Sequence, residues 1–355
     1  QGPKVEEFET KFAQFIGSKY AVAVANGTAA LHLSVLALGL EKGKKVITSP
    51  LTFVASANAV LYAGGEIDFC DIDPKTLLLD IDLVRKKLDS SPKGTYCGVI
   101  PVDFAGVPVQ MDAFKILADE YGFWLLEDSC HAPGGYFYDK SNEQQNCGNG
   151  NFADAAIFSL HPVKHIASGE GGMITTNDYS VYKKLLKLRT HGITKNPEEL
   201  IENHGPWYYE MQSLGYNYRL SDILCSLGIS QLDRASESLT KRKKIAKKYQ
   251  DSLKGIEDIK FYNTDVKGHA YHLLVIETSR RRALYDHLRT HQIFTQIHYI
   301  PVHLHPYYQS RGFKKGDFPK AEFHYENCMS LPIFPSLTEE ELEYTIKTIK
   351  NFFNG

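Results

Sequence analysis

The stretch that decides the fold is Phe158-Ser-Leu-His-Pro-Val-Lys-His-Ile-Ala-Ser-Gly-Glu-Gly-Gly172. It places one lysine, Lys164, in a short polar loop between two apolar runs, 155–158 and 173–176. Both runs are typical of strands, so we expect Lys164 on a turn held by a rigid scaffold. A lysine there can act as a nucleophile if its surroundings lower its pKa. Taken alone, the stretch favours an ordinary exposed loop lysine. A reactive lysine needs further residues around it, and these must come from the rest of the chain.

Apolar runs and helical patterns alternate along the first 190 residues. This alternation predicts an α/β fold with a mostly parallel sheet covered by helices on both faces. In such folds ligands bind beyond the carboxyl ends of the strands, so functional residues should come directly after apolar runs. Strands are predicted at 20–24, 45–48, 66–70, 96–102 and 123–126, and helices at 5–15, 26–38, 52–62, 81–88 and 111–121.

The pattern changes from residue 221 onward, where long helices are followed by a second, smaller α/β unit. We therefore predict a large domain over residues 1–235 and a small C-terminal domain over residues 236–355 that includes the long connecting helix. Earlier, residues 136–151 are polar, rich in Asn and Gln and without periodicity, which predicts a surface loop. The late elements are predicted as helices at 221–232, 236–254, 280–291 and 339–353 and strands at 270–276 and 294–297.

Composition narrows the class of protein. The chain has 355 residues and a net charge of −2, which gives no electrostatic argument for nucleic acid or a membrane surface. The basic run 241–248 continues a helical pattern and is interpreted as a solvated helix face. Six scattered cysteines favour reduced thiols in a cytoplasm, and neither a membrane helix nor a signal peptide is predicted. The chain begins at Gln1 without a Met, so we expect upstream residues to be missing.

Several polar residues follow predicted strands. Gly27 and Thr28 open a helix, where free amides and a hydroxyl can bind phosphate, although an ordinary N-cap explains them equally well. Asp128 follows the strand at 123–126 and suits either chemistry or helix capping. His131 could serve catalysis, although a single histidine near a strand end is more often structural. Ser159 could donate a hydroxyl to a phosphate, although taken alone it is more often an ordinary loop serine.

Two further features lack a clear assignment from the residues alone. The stretch 298–305 is dense in histidine, but its prolines break any helix and it contains no carboxylate or cysteine. We therefore predict no metal there and a loop bordering a substrate cleft instead. Asp103 also follows a strand and is predicted to lie on the ligand-binding edge of the sheet.

Taken together, a phosphate site, a carboxylate, a hydroxyl and a lysine at strand ends, in this order, resemble the fold-type I enzymes dependent on pyridoxal 5′-phosphate (PLP). The chain is most similar to the DegT-type sugar-nucleotide aminotransferases, and the resemblance extends from Gly2 over essentially the whole chain. The stretches that carry it are Gly2-Pro-Lys-Val-Glu-Glu-Phe8, Asn26-Gly-Thr-Ala-Ala-Leu31, Pro50-Leu-Thr-Phe-Val-Ala-Ser-Ala-Asn-Ala59, Glu127-Asp-Ser-Cys-His-Ala132, 159–164, Gly169-Glu-Gly-Gly172 and Gly215-Tyr-Asn-Tyr-Arg219.

The resemblance implies roles for individual residues. Lys164 forms the Schiff base with the cofactor and then moves the proton, and Asp128 pairs with the pyridine nitrogen, so that the ring can accept electrons. Phe53 is implied to stack on the cofactor ring, and His131 to contact its phenolic oxygen. Thr28, Ala29 and Ser159 are implied to bind the phosphate, together with Asn217 of a partner subunit. The implied substrate contacts are His161, Arg219, His298 and Tyr299.

Within the family, the details most resemble the aminotransferases of pseudaminic acid biosynthesis. This implies transfer of an amino group from L-glutamate to C4 of a UDP-linked 4-keto-6-deoxy-N-acetylhexose, by a cytoplasmic homodimer whose cofactor alternates between PLP and its pyridoxamine form. Other expectations stay open: a different 3- or 4-keto sugar nucleotide carrying dTDP or GDP, or a non-catalytic regulatory relative. Dehydratase relatives replace the lysine by histidine, whereas Lys164 is present here. Compared with the family, we expect the N-terminal segment to be missing and the segment at 136–151 to be longer than usual.

Overall fold

The structure is a computed structural model that describes residues 2–355. Its helices are α1 Pro3–Ile16, α2 Gly27–Ala37, α3 Ala55–Tyr62, α4 Ile81–Asp89, α5 Met111–Tyr121, α6 Tyr179–Arg189, α7 Asp222–Leu232, α8 Ala235–Leu253, α9 Arg281–Thr290, α10 Pro306–Gln309, α11 Pro319–Asn327 and α12 Glu339–Asn354. Its strands are β1 Tyr20–Val24, β2 Lys45–Thr48, β3 Glu66–Phe69, β4 Tyr96–Ile100, β5 Trp124–Asp128, β6 Tyr136–Tyr138, β7 Gln144–Asn146, β8 Ala155–Ser159, β9 Gly172–Thr176, β10 Ile193–Thr194, β11 Glu210–Met211, β12 Lys260–Phe261, β13 Leu274–Glu277 and β14 Cys328–Leu331.

A seven-stranded sheet in the order β1-β9-β8-β5-β4-β2-β3 forms the centre of the large domain. All of its strands are parallel except β9, which pairs antiparallel with both β1 and β8. The predicted α/β fold with a mostly parallel sheet is therefore confirmed. Because the parallel strands point the same way, the residues that follow β1, β5 and β8 meet at one edge of the sheet.

Burial explains why these strands form the core. The apolar residues of β8 and β9 are fully buried, since helices cover both faces of the sheet. Helix α2 is buried along nearly its whole length, from Gly27 to Ala37, and packs against β8 and β9. Its first turn is therefore held tightly against the end of β8. That packing fixes the position of the loop at 160–171, which carries Lys164.

The small unit is a three-stranded antiparallel sheet, β12-β13-β14, packed against α8, α9 and α12. A buried carboxylate of the large domain connects the two units. Asp71 accepts hydrogen bonds from the backbone amides of Lys320 and Ala321, both at 2.9 Å, in the first turn of α11. Helix α8 begins at Ala235. The division into domains at residues 235 and 236 stays a prediction.

Two local predictions from the sequence were wrong. Residues 136–151 contain an antiparallel hairpin of β6 and β7, and Phe137, Gln145 and Cys147 are buried, so the segment is not simply a surface loop. Residues 294–297 form no strand and contribute a single bridge, between Gln296 and Ser330. The strand that completes the small sheet is β14, which the sequence pattern did not reveal. No helix within residues 2–355 combines the length and apolar character needed to cross a membrane.

Candidate active site

A cavity of about 520 Å³ lies at the carboxyl edge of the central sheet. It collects residues that follow three parallel strands, β1, β5 and β8, as the rule for such sheets predicts. Most of the predicted site residues line this one cavity: Thr28, Phe53, Asp128, His131, Ser159, His161, Lys164, His298 and Tyr299.

The start of α2 forms the end of the cavity next to β8. Asn26 caps the helix, since its side chain accepts the Ala29 amide at 2.8 Å. The amides of Gly27 and Thr28 have no partner inside the helix and, with the helix dipole, favour an anion. A Cβ on Gly27 would lie 3.0 Å from the Cβ of Ser159, so only glycine lets the helix approach the end of β8 this closely. The N-cap and the anion site therefore coexist, but the Ala29 amide is already used by Asn26.

Asp128, the last residue of β5, is buried and is held by two hydrogen bonds. Its Oδ2 accepts from the Ser56 hydroxyl at 2.7 Å and its Oδ1 accepts from the Cys130 amide at 3.2 Å. The Ser56 hydroxyl also lies 3.0 Å from that of Thr52, so α3 orients the carboxylate. A fixed, buried carboxylate of this kind suits a positively charged ring nitrogen.

His131 lies beside Asp128 and is buried and neutral. Its Nδ1 accepts the Ala105 amide at 3.2 Å, which places the ring proton on Nε2, 3.1 Å from the Tyr299 hydroxyl. Burial lowers the pKa of His131 well below its ordinary value. The imidazole therefore presents a neutral N–H donor to the cavity.

Lys164 reaches the cavity from the loop between β8 and β9. Its amide donates to the carbonyl of His161 at 2.8 Å, which closes a tight turn after Ser159. Burial lowers the pKa of Lys164, whereas Cys130 and Asp128 oppose that shift. The Nζ atom lies 3.4 Å from Nε2 of His272. Lys164 is thus not the exposed loop lysine that the stretch alone favoured.

Three aromatic groups complete the walls. Phe53 is 58% exposed, although it is a large apolar side chain at the mouth of the cavity, so its ring is available to a flat ligand. Tyr299 lies 6.2 Å from the Phe53 ring, centroid to centroid. His298 bonds through Nδ1 to Ser330 at 2.9 Å, and burial lowers its pKa to about 4. In the same histidine-dense stretch, His303 points away from the cavity and bonds Glu322 at 2.8 Å.

Asn217 and Arg219 do not join the others. Both are exposed, and neither lines the cavity of its own chain. Their backbones are nevertheless well placed, since Arg219 bridges to Val24 and Asn217 bridges to Thr190. The two side chains therefore project from an ordered segment toward the outside of this subunit.

A second cavity of about 840 Å³ reaches Lys164 from the side of the small domain. Val163, Lys164 and His298 belong to the walls of both cavities. The far wall is cationic, with Arg234 and Lys241 at the start of α8, although Glu237 pairs with Lys241 at 2.7 Å. The lysine thus stands between a compact cavity and a larger, basic one.

Behind β5, on the opposite side from Asp128, two carboxyl groups are buried together with Cys147. Asp103 accepts from the Val109 amide and the Ser129 hydroxyl, both at 2.8 Å, and Glu127 accepts from the Gly148 amide at 3.0 Å. Burial raises the pKa of Asp103 to about 6, and burial together with the nearby charge of Asp103 raises that of Glu127 well above its ordinary value. Burial and the neighbouring Asp103 therefore favour the protonated form of Glu127 in the folded protein.

We expect Glu127→Gln to stabilise the protein at alkaline pH. The unfolded chain releases the Glu127 proton above a pKa of about 4.5, whereas the folded chain holds that proton to higher pH. Wild-type stability therefore falls as pH rises from that value toward the raised folded pKa. Glutamine carries no such proton, and at pH 8 its melting temperature should exceed that of wild type by a few degrees. Thermal melts at pH 5.5 and pH 8 measure this, with the exposed Glu143→Gln as control. Equal pH slopes in wild type and Glu127→Gln would contradict it.

The comparisons with known proteins agree with this geometry. The sequence profile described as the DegT/DnrJ/EryC1/StrS aminotransferase family matches residues 1–350. The chain belongs to this family. Among its relatives, the spore coat polysaccharide biosynthesis protein SpsC of Bacillus subtilis (strain 168) is 37% identical over 365 residues, which cover 100% of this chain and 91% of SpsC.

Solved structures of other proteins are similar to this chain over its whole length. S. venezuelae DesV superposes with a TM-score of 0.89 at 29% identity, over 100% of this chain and 90% of DesV. Helicobacter pylori PseC, an aminotransferase involved in the biosynthesis of pseudoaminic acid, superposes with a TM-score of 0.88 at 27% identity, over 100% of this chain and 92% of PseC. This DegT-family protein is thus a PLP-dependent sugar aminotransferase with the fold-type I architecture.

Three residues at the site of this DegT-family protein were not predicted from the sequence. Ser56 orients Asp128, His272 touches Lys164, and Glu170 lines the cofactor-sized cavity. Ser56 and Glu170 lie inside stretches that carry the family resemblance, which is a usable signal. His272 follows no strand and lies in no such stretch, and the sequence pattern placed it inside the strand predicted at 270–276, which begins only at Leu274 in the structure.

Proposed function

We propose that this sugar aminotransferase moves an amino group from L-glutamate to C4 of a UDP-linked 4-keto-6-deoxy-N-acetylhexose, in nonulosonic (pseudaminic) acid biosynthesis. The observation that carries the proposal is the placement of Lys164 between a cofactor-sized cavity and a larger basic one. The likeness to PseC over the whole chain supports the sugar and the pathway.

The residues of the smaller cavity fit PLP. The anion site at Gly27 and Thr28, with the hydroxyl of Ser159 beside it, would hold the phosphate. Ala29 lies in the same first turn of α2, but its amide already donates to Asn26 and is therefore not free to bind the phosphate. The exposed ring of Phe53 would cover one face of the flat cofactor. When bound, PLP supplies an electron sink for the carbon that loses and gains the amino group.

Asp128 and His131 would hold the two polar edges of the cofactor ring. The Asp128 carboxylate, fixed by Ser56, would keep a proton on the pyridine nitrogen through a charge-assisted hydrogen bond. The neutral Nε2–H of His131 would donate to the phenolic oxygen in place of its present partner, the Tyr299 hydroxyl. The protein thus orients the ring and sets its charge before any substrate enters.

Lys164 is the residue we assign to covalent attachment and proton transfer. Its lowered pKa makes a neutral amine available, and an amine must be neutral both to attack a carbonyl carbon and to accept a proton. The turn that closes at His161 holds the lysine in place. His161 lies at the entrance, where it can contact the sugar.

The larger cavity suits the amino acceptor. A nucleotide sugar carries a diphosphate, and Arg234 and Lys241 supply positive charge on the far wall. His298 and Tyr299 border the passage between this wall and the cofactor, so they are assigned to the sugar. These residues give the site one cationic end, which can bind the diphosphate, and one reactive end at Lys164.

We further propose a homodimer with shared active sites. The exposed Asn217 and Arg219 would enter the cavity of the partner subunit, Asn217 toward the cofactor phosphate and Arg219 toward the glutamate carboxylate or the diphosphate. Large apolar side chains in the same region support an interface, since Trp207 is 74%, Leu214 75% and Ile223 82% exposed in the single chain. We also assign the enzyme to the cytoplasm, which its six unpaired cysteines support.

A panel of keto sugar nucleotides tests the substrate. With ¹⁵N-labelled L-glutamate as donor, we expect label on C4 of the UDP-linked 4-keto-6-deoxy-N-acetylhexose, and kcat/KM at least about tenfold lower for 3-keto isomers and for dTDP- or GDP-linked sugars. Mass spectrometry and NMR of the product measure both. Preference for another member of the panel would transfer the proposal to that sugar, an alternative that the higher identity to SpsC supports. Absence of label from every sugar would refute the function.

A further inference from the structure

His272 is the side chain that contacts the amine of Lys164. It lies just before β13, is 6% exposed, and places Nε2 at 3.4 Å from Lys164 Nζ. Its backbone is held firmly, since the buried guanidinium of Arg242 donates to the carbonyl of His272 at 3.3 Å and to that of Tyr271 at 3.1 Å. The contact therefore joins two ordered segments that are 108 positions apart.

The second ring nitrogen of His272 decides the direction of the hydrogen bond. Its Nδ1 is buried and has no partner among residues 2–355. A proton on Nδ1 would leave a buried N–H donor without an acceptor, which is rarer and more costly than an acceptor without a donor. The proton therefore sits on Nε2 and points at Lys164. An ammonium group has no lone pair to accept it, so Nζ is a neutral amine.

The groups around Lys164 agree with a neutral amine. Within residues 2–355 no carboxylate forms an ion pair with it, although Asp128 and the thiol of Cys130 lie near enough to favour its charge. Facing it from other segments are the imidazoles of His131, His298 and His272, and burial lowers the pKa of all three. The remaining neighbour is His165, on the same loop, whose ring lies 5.5 Å from that of His272. These histidines are neutral at pH 7, and an imidazole cannot balance the positive charge of an ammonium in either protonation state.

We propose that His272 is a positioning residue that donates a hydrogen bond from Nε2 to Lys164 Nζ and so holds Lys164 as an oriented, neutral amine. The inference rests on the assignment of Lys164 as the reacting lysine under the proposed function. The amine is held ready whenever it is not bonded to the cofactor. The ring of His131 lies 4.3 Å from that of His272, centroid to centroid, at an interplanar angle of 33°, and this contact limits the movement of the His272 imidazole.

The test measures the lysine directly in the cofactor-free protein. Competitive labelling with acetic anhydride between pH 6 and 11, followed by mass spectrometry of the Lys164 peptide, gives the pKa of that amine. We expect a value below that of ordinary lysine in wild type and a rise of about one unit, a tenfold change in the fraction of neutral amine, in His272→Phe. His272→Gln keeps an N–H donor and should recover part of the shift. The matched control is His165→Phe, which removes a buried imidazole that does not contact Nζ and should leave the Lys164 pKa unchanged.

Two outcomes overturn the proposal. A Lys164 pKa that is unchanged or lower in His272→Phe means that the imidazole packs there or accepts from an ammonium. An ordinary or raised pKa in wild type refutes it without any variant, which covers the case in which His272→Phe does not fold. Labelling needs neither cofactor nor sugar, so it is separate from the proposed function. If the Lys164 pKa shifts as expected but no sugar receives an amino group, only the proposed function is refuted. If amino transfer occurs but the Lys164 pKa does not shift as expected, only the role of His272 is refuted.

Discussion

Replacing Lys164 by alanine abolishes amino transfer, with kcat at least about 10⁴-fold lower than in wild type. The reason is that one side chain is assigned two tasks, attachment of the cofactor to the chain and movement of the proton. Neither neighbour can take over both tasks, since the imidazoles of His272 and His131 have no primary amine with which to hold the cofactor covalently. Single-turnover assays with labelled glutamate measure the loss. Mass spectrometry after borohydride reduction should find the cofactor joined to wild type and absent from Lys164→Ala.

The control for Lys164→Ala is a lysine that has no assigned part in binding or catalysis. Lys244→Ala on α8 serves, because Lys244 is exposed and lines neither cavity. It should retain wild-type kcat and the borohydride-fixed cofactor. Added methylamine should restore part of the rate to Lys164→Ala, since a small amine fits the space left by the side chain. A Lys164→Ala protein with near-normal turnover, or a cofactor fixed to another lysine, would refute the assignment.

The sequence predicts the centre of the site because of a property of parallel sheets. Thr28, Asp128, Ser159 and Lys164 each come after an apolar run, and parallel strands bring their carboxyl ends to one edge. Their separation along the chain is therefore no obstacle to predicting that they meet. In the structure all four residues line one cavity.

Contacts made by segments without a pattern could not be predicted in this way. Ser56 is 72 positions from Asp128, and His272 is 108 positions from Lys164. Ser56 lies within a helix and His272 in an irregular segment, so neither occupies a strand end. The hairpin at 136–146 could not be predicted for a related reason, since its strands are only three residues long and β7, Gln-Gln-Asn, is entirely polar. Short polar strands are set by tertiary packing more than by local preference.

Mixing two inactive variants should restore activity, because each active site is proposed to draw residues from both subunits. In Asn217→Ala/Arg219→Ala the partner loses the side chains assigned to the phosphate and to an anion, and we expect at least about a 100-fold loss from two charge-assisted hydrogen bonds. The backbone pairing stays intact, since Ala25 donates to the Tyr218 carbonyl at 2.8 Å whatever the side chains are. Lys164→Ala is the other variant, and gel filtration checks that both remain dimers.

After exchange of subunits at equal concentration, about half of the dimers contain one chain of each kind. In such a dimer one site has both defects and the other has none, because the intact Lys164 belongs to the chain that receives Asn217 and Arg219 from the Lys164→Ala subunit. One quarter of all sites are then wild type, so about a quarter of wild-type activity should return. If each site were built from a single chain, every site in the mixture would keep a defect and no activity would return. The amplitude of recovery therefore distinguishes a shared site from a dimer that merely places two complete sites side by side.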